Sequence, residues 1–98
     1  MINIYSFFDK KSNSYLTPTF SVSDGVLIRD LRVFLRKPGN MFAQFPEDYE
    51  LRKIGVFFED EGHIDSFVPY TVISFVDILK LDDESEVYDG NGDSVLPD

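Results

Sequence analysis

The chain of 98 residues has no cysteine, no tryptophan, one histidine, and no apolar run near the ~18 residues that a membrane-spanning helix needs. Without cysteine, disulfides and thiolate metal sites are excluded. His63 alone does not make the usual zinc ligand set, and no Ser–His–acid arrangement can be argued from spacing. Neither a P-loop nor a GxGxxG run occurs. The start, Met1-Ile2-Asn3-Ile4-Tyr5, lacks the basic residues and apolar stretch of a signal peptide. Asp89-Gly90-Asn91-Gly92-Asp93 opens like a calcium loop, but Ser94 stands where that motif needs glycine and no bidentate glutamate follows. Glu47 and Asp48 are adjacent and suit a turn cap better than a catalytic carboxylate pair. These absences lead us to expect a cytoplasmic, non-enzymatic protein with no cofactor, no metal and no membrane contact, one that acts by binding.

The length suits one domain. Ten Phe and five Tyr supply bulk for the core of a domain too small to bury much surface otherwise. The net charge of −9 is unevenly placed. Residues 82–98 carry seven acids and no base, whereas residues 1–81 hold 11 acids and nine bases, for a net of −2. This divides the chain into an expected single domain, 1–81, and an acidic, flexible C-terminal tail, 82–98.

Residues 2–8 alternate Ile2, Ile4 and Phe8 with Asn3, Tyr5 and Phe7, the pattern of a strand. Asp9 to Ser14 is a polar turn, and Tyr15 to Thr19 a short extended piece that Pro18 confines to a sheet edge. A helix is expected over 24–37, capped by Ser21 with Asp24 three residues on, or by Ser23 alone. Its last turn holds Arg36 and Lys37, and Pro38-Gly39 ends it. Leu27, Leu31, Phe34 and Leu35 fall near one face, which would lie on a sheet. Residues 38–48 read as a loop. Tyr49 to Glu59 reads as a strand, with Leu51, Lys53, Gly55 and Phe57 on one side and Arg52, Ile54, Val56 and Phe58 on the other. A turn at 59–63, with Gly62 at positive φ, leads to a partner strand over 64–68. Residues 70–81 mix helical spacing with β-branched residues and suggest a short strand near 71–75 followed by a helical turn. The expected fold is α+β: a small antiparallel sheet of three to four strands with one main helix packed on one face. Its edges leave room for self-association into a homo-oligomer.

Three features point to a partner. Arg29, Arg32 and Arg36 recur at i, i+3 and i+7, roughly opposite the Leu/Phe face; they read either as a phosphate-binding stripe or as a solvated face balanced by Asp30. Phe7-Phe8 and Phe57-Phe58 place one ring of each pair on each sheet face, where it stacks bases or is covered by other structure. The acidic tail is a solubilising end, an internal competitor for the basic helix, or a DNA mimic that docks on a basic protein.

The run Phe45-Pro46-Glu47-Asp48-Tyr49-Glu50-Leu51-Arg52-Lys53-Ile54-Gly55-Val56-Phe57, with Glu59 to Ile64 after it, resembles a stretch of a small nonstructural protein of gokushoviruses, single-stranded DNA phages within the microviruses. The opening Ile4-Tyr5-Ser6, then Phe8-Asp9-Lys10-Lys11, is similar to that family's start, and Pro69 matches its proline after the hairpin. The resemblance covers about residues 2–80. The chain departs from the pattern at Phe45, where histidine is usual, at Phe58, where aspartate is frequent, and in its long acidic tail. The resemblance implies a non-enzymatic phage accessory protein, labelled DNA-binding, that acts in genome replication or in the switch to single-strand production and packaging. Its partner would be single-stranded DNA or a replication or packaging protein. Charge would come from Arg29, Arg32, Arg36, Lys37, Lys10, Lys11, Arg52 and Lys53, and stacking from Tyr5, Phe7 and Phe57. The alternative is an acidic protein-interaction module that binds a host or phage protein.

Overall fold

A computed structural model of the chain describes residues 1–81, so the expectations placed on the tail and on the calcium-like segment lie outside the described residues. The sheet is antiparallel and built around β1 (Ile2–Asp9). On one side β1 pairs with two short strands that share a single edge position: β2 (Ser14–Tyr15) lies against Phe8 and Asp9, and β3 (Thr19–Ser21) against Asn3 to Tyr5. On the other side it pairs with β4 (Tyr49–Phe58), which pairs with β5 (His63–Ser74). This is the expected α+β architecture, with Pro18 lying between the two short pieces of the edge.

Local chemistry sets the turns. The Asp9 carboxylate accepts from the N–H groups of Lys11 and Ser12, and Asn13 takes φ 58°, a left-handed conformation that asparagine tolerates. Gly62 takes φ 65° in the β4–β5 turn, as expected. The main helix, α1 (Asp24–Leu35), is capped by Ser23, whose hydroxyl accepts from the Val26 N–H at 3.2 Å. Ser21 is outside the cap and donates to the Ser23 carbonyl.

Residues 38–48 are more ordered than a loop. Asn40 caps a four-residue helix, α2 (Met41–Gln44), by accepting from Phe42 and Ala43, and a 3₁₀ turn follows over Pro46–Asp48. The strand over 64–68 is also longer than expected, because β5 runs on to Ser74. That residue then caps α3 (Phe75–Lys80) by accepting from the Asp77 N–H.

The alternation expected along β4 fails at one residue. Tyr5 pairs with Lys53 and Ile4 with Gly55, so Ile54 has no counterpart on β1. Such a bulge reverses every later side chain. Leu51 and Lys53 therefore share a face with Tyr5 and Phe7, whereas Gly55 and Phe57 share the opposite face with Ile2 and Ile4. Across the same point β5 inserts Phe67, Val68 and Pro69 opposite Ile54, which bends the hairpin. Gly55 is required there: a Cβ would lie 2.4 Å from the Asp65 carbonyl oxygen, which is backbone and cannot swing aside. Gly55→Ala should cost about 1–3 kcal/mol, as overpacking does, read as a lower urea midpoint. An unchanged midpoint would show that β5 shifts at no cost.

The helices cover one face of the sheet. Tyr5, Leu27, Ile28, Leu31, Leu35, Leu51, Phe75 and Ile78 form the buried cluster, with Phe7, Phe34, Phe42 and Tyr49 packed against it. No helix among the described residues is long and apolar enough to cross a membrane.

Candidate nucleic-acid interface

Several residues assigned above to binding lie on the helix-covered face. Tyr5 is fully buried; its hydroxyl donates to Asp24 Oδ1 at 2.5 Å and accepts from Asn3 Nδ2. Burial, then the hydrogen bond to Asp24, push its pKa well above the ordinary tyrosine range. Lys53 meets the same carboxylate, Nζ to Oδ1 at 3.1 Å, and sits over the Tyr5 ring. Burial alone would lower the Lys53 pKa, but the hydrogen bond and charge of Asp24 outweigh it and raise it. Phe7 meets Phe42 and Phe75 edge-on, at 5.4 and 4.9 Å between ring centres. Tyr5 and Lys53 are therefore structural. The Tyr5 ring has no face left for a base, whereas Phe7 is half-buried and still lines a hollow of about 470 Å³ with Tyr15, Leu16, Thr17 and Thr19.

The three helix arginines do not form one open stripe. At about 100° per residue, Arg32 lies only about 40° around the helix from Ile28, so it borders the core-facing side. It is 5% exposed. Arg36 caps α1 and its Nη2 donates to the Leu81 carbonyl oxygen at 2.5 Å. Both are partnered. Arg29 and Lys37 are exposed on the helix, and Lys10 and Lys11 at the β1–β2 turn.

Among the described residues, none covers the opposite sheet face. Ile4, Ser6 and Phe8 form its floor, each under 9% exposed. Around them lie two adjoining hollows of about 430 and 330 Å³, which share Pro18, Ile54 and Ser66. The first is edged by Phe20 and Ile64, the second by Tyr15, Leu16 and Phe67. Phe20 is 53% exposed and meets Phe57 edge-on at 6.4 Å. Of the three aromatic residues expected to stack on a ligand, only Phe57 is on this face. Tyr15, Phe20 and Phe67 were not singled out from sequence. Their signal would have been the register of the Pro18-interrupted edge against β1.

Arg52 closes one end of the groove. Its guanidinium lies 3.9 Å from the centre of the Phe8 ring, a cation–π contact, and donates to the Tyr15 hydroxyl at 2.8 Å and to Glu50 at 2.7 Å. Thr71 also donates to Glu50. Burial would raise the Glu50 carboxyl, but the hydrogen bonds from Thr71 and Arg52 hold it below its ordinary 4.5. A depressed folded-state pKa stabilises the protein above the unfolded value, and that stability is lost as pH falls through the folded value. The gap in urea midpoint between the wild type and Glu50→Gln should therefore narrow as pH drops from neutral to below 4.5. A gap that stays constant with pH would contradict this.

The fold and this groove define a small α+β domain with helices on one sheet face and an apolar, aromatic-edged surface on the other. Over residues 2–78 the chain matches the family model described as Phage ORF5 protein, and it belongs to that phage protein family. Neither a curated protein nor a solved structure matches the chain. Among the described residues, no group of three or more His, Asp or Glu side chains is placed to hold a metal ion.

Proposed function

We propose that this phage protein is a non-enzymatic accessory protein of the microvirus type that binds single-stranded DNA on the open face of its sheet. The observation that carries the reading is the uncovered groove with Tyr15, Phe20, Phe57 and Phe67 at its edges. Bases of any identity stack on such rings, and only a single strand can turn its bases toward a sheet. The likeness of its central motif to the nonstructural protein of gokushoviruses supports a role in replication or single-strand packaging.

The charge arrangement shapes the binding mode. Arg52 is neutralised by Glu50 and Lys53 by Asp24, which leaves Lys10 and Lys11 as the lysines nearest Phe8 in the chain. Few phosphates are then neutralised, and affinity should depend weakly on salt, with a log–log slope of about −1 to −2 for single strands. A second reading, a protein-interaction module, is favoured by the same pairing, because an apolar groove with few open cations also suits a protein segment.

Anisotropy titration of a labelled single strand and of its duplex, at two salt concentrations, tests the proposal on the full-length chain. The proposal predicts preference for the single strand and a shallow salt slope. No binding of either nucleic acid at low salt would remove it and leave the protein-interaction reading.

A further inference from the structure

We propose that the protein forms a two-fold dimer through the outer edge of β5, with Ile64 on the axis and residues 62–66 of the two copies paired antiparallel. This inference concerns how two chains meet and does not depend on what the groove binds. The two edges of the sheet differ. Pro18 breaks the β2–β3 edge into pieces of two and three residues, too short to template another strand. β5 is 12 residues long, and among the described residues β4 is its only strand partner. Its sequence contains no lysine or arginine, the charged side chains with which natural edges repel a second strand. Every residue from His63 to Val68 is exposed, Ile64 to 57% and Val68 to 86%. In an antiparallel strand every second N–H and C=O points away from the existing partner, so this edge presents backbone groups to a second strand.

Charge selects the register. An edge that pairs antiparallel with its own copy does so about a two-fold axis normal to the sheet, so directly opposite residues share a face and one residue lies on the axis. With Ile64 there, His63 of each copy stands opposite Asp65 of the other. The same two groups already join within one chain, Nε2 to Oδ1 at 2.7 Å. With Asp65 on the axis, two carboxylates would face each other, which is unfavourable. With Ser66 there, Asp65 would face Phe67 and His63 would face Pro69, which has no N–H to donate. Beyond it, Phe67 to Pro69 are the insertion that bends β5 opposite Ile54. Ile64 and Ser66 lie on the groove face, opposite Gly55 and Phe57 of β4, and His63 and Asp65 lie on the other. The pairing therefore sets Ile64 against its own copy on the groove face. The hollow edged by Phe20 and Ile64 then meets its counterpart across the axis, and two copies share one longer apolar trough. Five residues a side make a small contact, so the association is reversible.

Because the chain has no cysteine, single cysteines test the register in the full-length protein. Ile64→Cys should form a disulfide-linked dimer on mild oxidation, because directly opposite residues have Cα atoms about 4.5–5.5 Å apart, within disulfide reach. Ser66→Cys, on the same face, should cross-link at least about tenfold more slowly, because its two copies lie four residues apart along the strands, about 13 Å. In sedimentation equilibrium the wild-type mass should rise toward twice the monomer's as the protein approaches about 1 mM. Asp65→Lys sets like charges opposite each other and should weaken the dimer at least about tenfold. Adding His63→Glu to it should restore the association. Asp65 is exposed and on the face away from the groove, so neither core nor groove is altered. A monomer at every concentration, or equal cross-linking by the two cysteines, would overturn the proposal. So would a dimer indifferent to Asp65→Lys. No DNA enters these measurements, so their outcome is separate from that of the groove.

Discussion

Phe75→Ala should destabilise the protein by about 3–5 kcal/mol, the cost of emptying a phenylalanine-sized space in a core that cannot collapse. Phe75 is fully buried and its ring touches three others, Phe7 at 4.9 Å, Tyr49 at 5.7 Å and Phe42 at 6.0 Å. It opens α3 directly after Ser74 ends β5, so one side chain pins the end of the longest strand, the start of β4 and the short helix α2 to the same cluster. Small domains are held by about 5–15 kcal/mol in total, so the variant should be partly unfolded near physiological temperature. Urea unfolding followed by circular dichroism checks this. A loss below about 1 kcal/mol would mean that the neighbouring rings close the gap, and that the cluster is less rigid than its edge-on geometry implies.

The double variant Phe20→Ala, Phe57→Ala should lose about 30- to 20,000-fold in affinity for single-stranded DNA while keeping its fold. Each base-stacking ring is worth about 1–3 kcal/mol by alanine substitution, and a tenfold change is about 1.4 kcal/mol. Phe20 is more than half exposed, so its removal takes little from the core. The two rings meet each other at 6.4 Å and edge the groove away from the helices. Phe7→Leu is the contrasting variant. It alters a ring packed edge-on against Phe42 and Phe75 on the helix-covered face, and should lower stability with little direct effect on affinity. Affinity measured by anisotropy, beside a urea midpoint for each variant, separates the two effects. Equal loss of affinity in both variants would place the ligand elsewhere.

How far the sequence led depends on the length of each pattern. The α1 face, the β1 alternation and the Gly62 turn repeat over enough residues to be legible, and each is present in the structure. A four-residue helix such as α2 is shorter than any period, so residues 38–48 read as a loop. The bulge at Ile54 leaves no compositional trace, yet it moved Gly55 and Phe57 to the opposite face from Lys53. The arginine stripe failed for a geometric reason. Ile28 belongs to the core, which widens the buried side of α1 until it reaches Arg32. Phe20 was overlooked because Pro18 breaks the edge into two pieces, neither long enough to show alternation.

The most direct examination of the account is an amide-shift map of the full-length protein titrated with a short single-stranded oligonucleotide. The largest shifts should fall on Ile4, Tyr15, Phe20, Phe57, Ile64 and Phe67, around the groove. Shifts concentrated on Arg29 to Lys37 of α1, or none at millimolar oligonucleotide, would contradict it.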